Sequence, residues 1–282
     1  MKAIADKRPY WRYRHNDAVA HPRPAHLAWD GKMRAQKERS LQSIIVGGMT
    51  KEKSLSERIG ELSDSDLQGF FRDLAETHPN WFPTIRQLEV TGEIHYFARI
   101  KGNILQLSDA AHWVAGFRPA SSLHHALAAI RQSVPLTFNQ EYAVEVLWHE
   151  SLHLQATGIE KGGLLVETLT QFIARHTYPK LLKAMGSDAV QATAILEKGY
   201  GYADWVTNFR ALLAHARIPE TKAVAEVRPI LLNSTDATLV SRIAAWLEPQ
   251  TGQRAGLWKK ALRLMRKPPE IFLKQLARQL DY

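Results

Sequence analysis

The chain has 282 residues, with 37 Lys/Arg, 28 Asp/Glu and no cysteine. An apolar content of 45% and a charged content of 23% are globular values, which exclude collagen-like, low-complexity and wholly disordered readings. The missing cysteines exclude disulfides, Cys-type zinc modules, iron–sulfur clusters and thiol catalysis, so any metal falls to His and carboxylates. The formal charge of +9 is uneven: residues 1–40 and 254–282 each carry +6, leaving −3 for residues 41–253. A basic total of this kind does not mark a nucleic-acid-binding core.

Residues 1–40 read as an irregular basic segment, with Pro9, Pro22 and Pro24 and with aromatic and basic side chains interleaved from Tyr10 to Arg14. No apolar stretch follows the first charges, and no run is long enough for a membrane span, so neither a signal peptide nor a span is expected. Residues 41–65, with Gly47-Gly48 and the charged run Lys51–Arg58, read as a linker or weak helix. From residue 66 the pattern becomes regular and continues to residue 282 as one helical domain. Leu67, Phe70, Phe71 and Leu74 have helical spacing up to His78-Pro79. Ile94, Tyr96, Ala98 and Ile100 alternate, Lys101-Gly102-Asn103 turns the chain, and Ile104, Leu105 and Leu107 follow, which predicts a hairpin over 93–108. The remainder predicts helices over 121–132, 139–157, 163–184, 188–198, 202–215, 220–232, 236–247, 255–267 and 270–281. The fold class is therefore mainly α (α+β), with a small hairpin or sheet ahead of the central helices.

His149-Glu150-Ser151-Leu152-His153 is an H-E-x-x-H inside a helical pattern. Two His four residues apart lie one turn above each other, so both imidazoles reach one ion. Glu150, about 100° around the helix, lies beside that ion and can take a proton from a water without ligating. The third ligand of the longer H-E-x-x-H-x-x-G-x-x-H pattern is missing, because Ala156 and Ile159 occupy its Gly and His positions. A downstream carboxylate is then required, either Glu160 or Glu167. The stretch Gly158–Gly162 breaks the helix and a second begins near Gly163. His153 lies five residues before the break and Glu167 five after it, so an antiparallel pair sets them side by side. His176 lies too far along the second helix for His153.

This arrangement resembles the gluzincin-type zinc metallopeptidases over about residues 141–178. The resemblance implies a helical zincin-like domain, a zinc ion on His149, His153 and Glu167, Glu150 as general base, and a peptide or protein substrate. It also implies a Tyr or His that hydrogen-bonds the developing oxyanion, for which Tyr178, Tyr200, Tyr202 and His176 are candidates. Gln171 and Arg175 stand where the family often has a supporting Asp or Asn. The Ile94–Ile100 strand sits where such folds align an extended peptide, although an ordinary structural hairpin fits the sequence equally. Glu145, one turn before His149, either orients that imidazole or faces solvent.

Pro9-Tyr10-Trp11-Arg12-Tyr13, Arg23-Pro24-Ala25-His26 and Gly31 resemble part of the phage Mu F-like minor head proteins. What this implies is a phage or prophage origin, contact with head components through residues 1–40, and a location in the bacterial cytoplasm or the virion. The function expected from the sequence is therefore a zinc-dependent peptidase-like hydrolase. The alternative is a head-morphogenesis structural protein with an inert metal site. Nucleic acid remains a weaker partner, through the basic ends. His124-His125 point apart and read as structural, and Trp258 to Lys267 as a basic amphipathic helix packed on the domain.

Overall fold

The computed structural model describes residues 53–62, 66–156, 158–159 and 162–280. The segment resembling head proteins, residues 1–40, and the candidate ligand Glu160 lie outside them. Among the described residues the protein is mostly helical, with twelve helices and one small sheet, as the sequence predicts.

Helix α1 (Leu55–Glu61) starts at Ser54, whose backbone N–H donates to Glu57 at 2.7 Å, and it buries Leu55 and Ile59. Packed structure thus extends into the segment read as linker or weak helix. The apolar stripe Phe70, Phe71 and Leu74 buries one face of α2 (Leu67–Thr77), as its spacing dictates.

The sheet differs from the expected hairpin in two respects. The hairpin itself is present, with β2 (Ala98–Lys101) and β3 (Ile104–Ser108) antiparallel about Gly102 at φ 62°. Residues 93–97 do not extend it, and Ile94 is exposed in a loop. A third strand, β1 (Gln87–Thr91), pairs parallel to β3 and makes the order β1-β3-β2. Only Leu88 among the β1 side chains is buried, and the alternation of Gln87, Glu89 and Thr91 with Leu88 and Val90 is a strand signal that the expected hairpin does not include. The central β3 buries Leu105, Gln106, Leu107 and Ser108. Arg99, Gln106 and Glu89 tie the three strands by side-chain hydrogen bonds of 2.7 and 2.6 Å.

Behind the sheet come α3 (Pro119–Arg131) and α4 (Phe138–Gln155). Every residue of α4 from Glu141 to Leu152 is buried, so it is a core helix surrounded on all sides rather than an amphipathic surface helix. Strand β2, an edge of the sheet, packs on α4. The expected single helix over 163–184 is two, α5 (Leu164–Thr177) and α6 (Pro179–Met185), because Pro179 has no N–H to continue the first. Then follow α7 (Ala192–Lys198), α8 (Ala203–His215), α9 (Glu220–Leu232), α10 (Leu239–Thr251), α11 (Ala255–Leu264) and α12 (Pro269–Leu280).

The α4–α5 pair is the centre of the core. Trp148 is buried between them and its indole N–H donates to the Thr177 hydroxyl at 2.8 Å. Trp148→Ala should therefore destabilise the protein by about 3–5 kcal/mol, read from the denaturant midpoint. A loss below 1 kcal/mol would contradict this placement of the core.

Candidate metal centre

The break after α4 folds α5 back antiparallel, and the two helices face each other through side chains spaced four apart. Glu141, Glu145, His149 and His153 line α4; Glu167, Gln171 and Arg175 line α5. All but the partly exposed His153 are buried. Spacing by four keeps each set on one face of its helix.

At the open end of this seam three side chains converge. His149 Nε2 and His153 Nε2 are 2.9 Å apart, and Glu167 Oε2 is 3.4 Å from the first and 3.3 Å from the second. The hairpin geometry thus brings His153 and Glu167 together as the sequence predicts. Two imidazole lone pairs do not approach this closely unless something positive lies between them, a shared proton or an ion. Ligands about 2.0–2.1 Å from one tetrahedral ion stand about 3.3–3.4 Å from each other, so the group needs little rearrangement to hold one. Two imidazoles and one carboxylate, all at least four-fifths buried, can hold a metal ion.

Gly162 makes room for the carboxylate. A Cβ at this position would lie 2.7 Å from Glu167 Oε1, so any larger residue pushes the side chain away from the histidines.

The electrostatics follow from burial. Burial alone would raise the Glu167 carboxyl, but the charge of His153 and the hydrogen bonds of both imidazoles outweigh it and hold it well below the carboxylate range. Burial likewise opposes a charged His153, yet Glu167 beside it holds the imidazole up at about 9. Glu150 is raised, chiefly by burial and in part by Glu167, while His149 and His153 pull it down. It is buried, lies within electrostatic reach of all three side chains, and accepts no hydrogen bond from a described residue.

Glu145 does not face solvent. It is fully buried, one oxygen accepts from Gln171 Nε2 at 2.7 Å, and the other has no partner, as is also true of His149 Nδ1. Burial drives its carboxyl up to about 7, against the pull of Arg175 and His149. Gln171 and Arg175, in the positions where an Asp or Asn was anticipated, support the site differently. Gln171 partners Glu145, and Arg175 Nη2 donates to the carbonyls of Gly199 and Gly201, both at 2.7 Å. The Gly201 N–H also donates to the Tyr142 hydroxyl at 2.6 Å. A Cβ on Gly201 would meet that oxygen at 3.1 Å and Gln171 Oε1 at 3.3 Å, so a larger residue would require these neighbours to give way by a few tenths of an ångström.

This clamped loop sorts the tyrosine candidates. Tyr202 follows it in the left-handed region (φ 52°, ψ 28°), a strained conformation for a bulky residue. Its ring stacks 5.9 Å from that of His149 and 5.2 Å from that of Trp205. The Tyr178 hydroxyl donates to Glu141, the Tyr200 hydroxyl donates to Asn139 at 2.8 Å, and His176 pairs with Glu220 at 3.0 Å. His124 and His125 stack on each other at 5.7 Å on α3. Glu141 is marked in the sequence only by its spacing of four from Glu145, and Tyr142 and Gly162 only as parts of the helical pattern and of the helix break.

No family model, curated protein or solved structure matches the chain.

Gly162→Ala should weaken metal binding at least tenfold in a cobalt or zinc titration while the thermal midpoint of the ion-free protein stays near wild type; unchanged affinity would show that Glu167 is not a ligand. The ion-free protein should also show a defined pH dependence. Glu145 and Glu150 have folded values above the unfolded 4.5, so stability falls as pH rises from there, through about 7 for Glu145. His153, raised above 6.5, contributes fully below that pH and loses its contribution as pH climbs through about 9. Glu167, depressed, is lost only in strong acid. In chelator the denaturant midpoint should peak at about pH 4–5 and decline toward 9; a midpoint that rises from pH 5 to 9 would refute the assignment.

Proposed function

We propose that the protein is a metal-dependent hydrolase of peptide bonds, similar to the gluzincin-type zinc peptidases. The observation that carries this reading is the convergence of His149, His153 and Glu167 within 3.4 Å of one another, beside a buried Glu150. His149 and His153 through Nε2 and Glu167 through Oε2 are the residues that would hold the ion. Mixed nitrogen and oxygen donors favour zinc over magnesium or calcium, which take oxygen ligands. A zinc ion bound there supplies Lewis acidity toward a substrate carbonyl and a lowered pKa for water.

The chain's own residues supply the rest. Glu150 is the general base: its raised pKa makes it a better proton acceptor than an ordinary surface carboxylate, and it returns that proton to the leaving amine. Tyr202 is the group we assign to the carbonyl oxygen as charge develops, since among Tyr178, Tyr200 and Tyr202 its ring is the one stacked on His149. Arg175 and the Tyr142 hydroxyl hold the preceding Gly201 backbone in place beforehand. The edge strand β2, packed on α4, offers an extended peptide a partner by strand addition. A phage or prophage setting, with a virion or bacterial cytoplasmic location and contact to head components, rests on the sequence resemblance of residues 1–40.

Metal analysis of the purified protein and cleavage of a quenched peptide library test the reading together. Near-stoichiometric zinc is expected, lost in His149→Ala and in Glu167→Ala. Glu150→Gln should retain the metal and lose about 10²- to 10⁴-fold in turnover. Full activity in Glu150→Gln would remove its role, and a protein that takes up no zinc would remove the enzyme.

A further inference from the structure

We propose that the corner between α11 and α12 is a docking surface for an anionic lipid bilayer. From Arg254 to Arg278 the chain carries eight Lys/Arg against a single acid, Glu270. The two helices turn Trp258, Leu262, Met265, Phe272 and Leu276 into the core, and this leaves Arg263, Arg266, Lys267, Lys274 and Arg278 exposed. None of the eight cations forms an ion pair with a described carboxylate. Crowding unpaired like charges destabilises a compact fold, so the fold itself gives no reason for the cluster. A polyanionic partner does.

The other exposed side chains decide which polyanion. Ile271 and Leu273 are 40% and 50% exposed in the first turns of α12, immediately after the exposed Pro268 corner. Nucleic-acid surfaces supplement their cations with hydrogen-bonding side chains and stacking aromatics. Residues 254–278 contain no Ser, Thr, Asn or Tyr, and both aromatic residues, Trp258 and Phe272, are buried. Ile271 and Leu273 flank the buried Phe272 on the two sides of α12, with Lys274 and Arg278 exposed on the same helix, and exposed aliphatic and cationic side chains together are what an acyl boundary beneath anionic headgroups accepts. The corner is firmly seated for this: the buried Asn208 amide on α8 donates to the carbonyls of Met265 at 3.0 Å and Lys267 at 2.8 Å. No helix among the described residues is long and apolar enough to cross a membrane, so the contact is peripheral.

The test is sedimentation of the full chain with phosphatidylcholine vesicles, with and without about 30 mol % phosphatidylserine. Binding is expected only with phosphatidylserine and should weaken as salt rises. The triple variant Arg263→Gln, Arg266→Gln, Lys267→Gln should reduce partitioning on the order of 100-fold. Ile271→Ser with Leu273→Ser should reduce it by about tenfold. All five positions are exposed, and unchanged circular dichroism establishes that the variants fold. Absent binding to phosphatidylserine vesicles overturns the proposal, as does binding indifferent to both variants. A third overturning result is duplex DNA that displaces the vesicles and binds independently of Ile271 and Leu273, which assigns the surface to nucleic acid.

Discussion

The structure depends on a stripe of ionisable and polar side chains sealed between two antiparallel core helices. Each charge in that seam would be costly alone, since burial of an unpaired carboxylate or imidazolium far outweighs an ordinary hydrogen bond. The seam is tolerated because its members answer one another. His149 and His153 face Glu167, Gln171 faces Glu145, and the charge of Arg175 reaches Glu145 while its guanidinium holds two loop carbonyls. Glu145 Oε2, His149 Nδ1 and Arg175 Nε are buried seam atoms without a hydrogen-bond partner, the first two on one helix a turn apart.

Precision at the site comes from close approach rather than from many contacts. Gly162 leaves room for Glu167, and Gly201 lets a loop backbone lie against Tyr142 and Gln171. The loop then turns Tyr202 into the left-handed region and lays its ring along His149. A strained tyrosine persists because Arg175 and Tyr142 fix the preceding backbone by hydrogen bonds. The strain is thus stored at the site and maintained by the seam, which links the side chains that could hold an ion to the ring stacked on His149.

Charge is arranged on a larger scale by the same separation of inside from outside. The interior seam carries mostly acids and imidazoles, whereas the last two helices place their cations in solvent and only apolar side chains in the core. The two features lie on different helices and use different physics: the seam works because water is excluded, the basic corner because water and salt reach it.

The sequence by itself determined the helical class, the β2–β3 hairpin and the identity of the three converging side chains. Those signals are local. Helical period fixes a face, Gly102 a turn, and equal distances from a helix break set Glu167 beside His153. Tertiary structure alone decided which neighbours join them. Strand β1 joins the sheet by parallel pairing with β3, which its own alternation of polar and apolar residues does not specify. In the sequence Glu145 reads more readily as a solvent-facing carboxylate, and only the enclosure of its helix on all sides overturns that reading. Tyr178, Tyr200 and Tyr202 are told apart only by long-range contacts, the first two donating to Glu141 and Asn139 and the third stacking on His149, because what a side chain faces is set by packing between elements far apart in the chain.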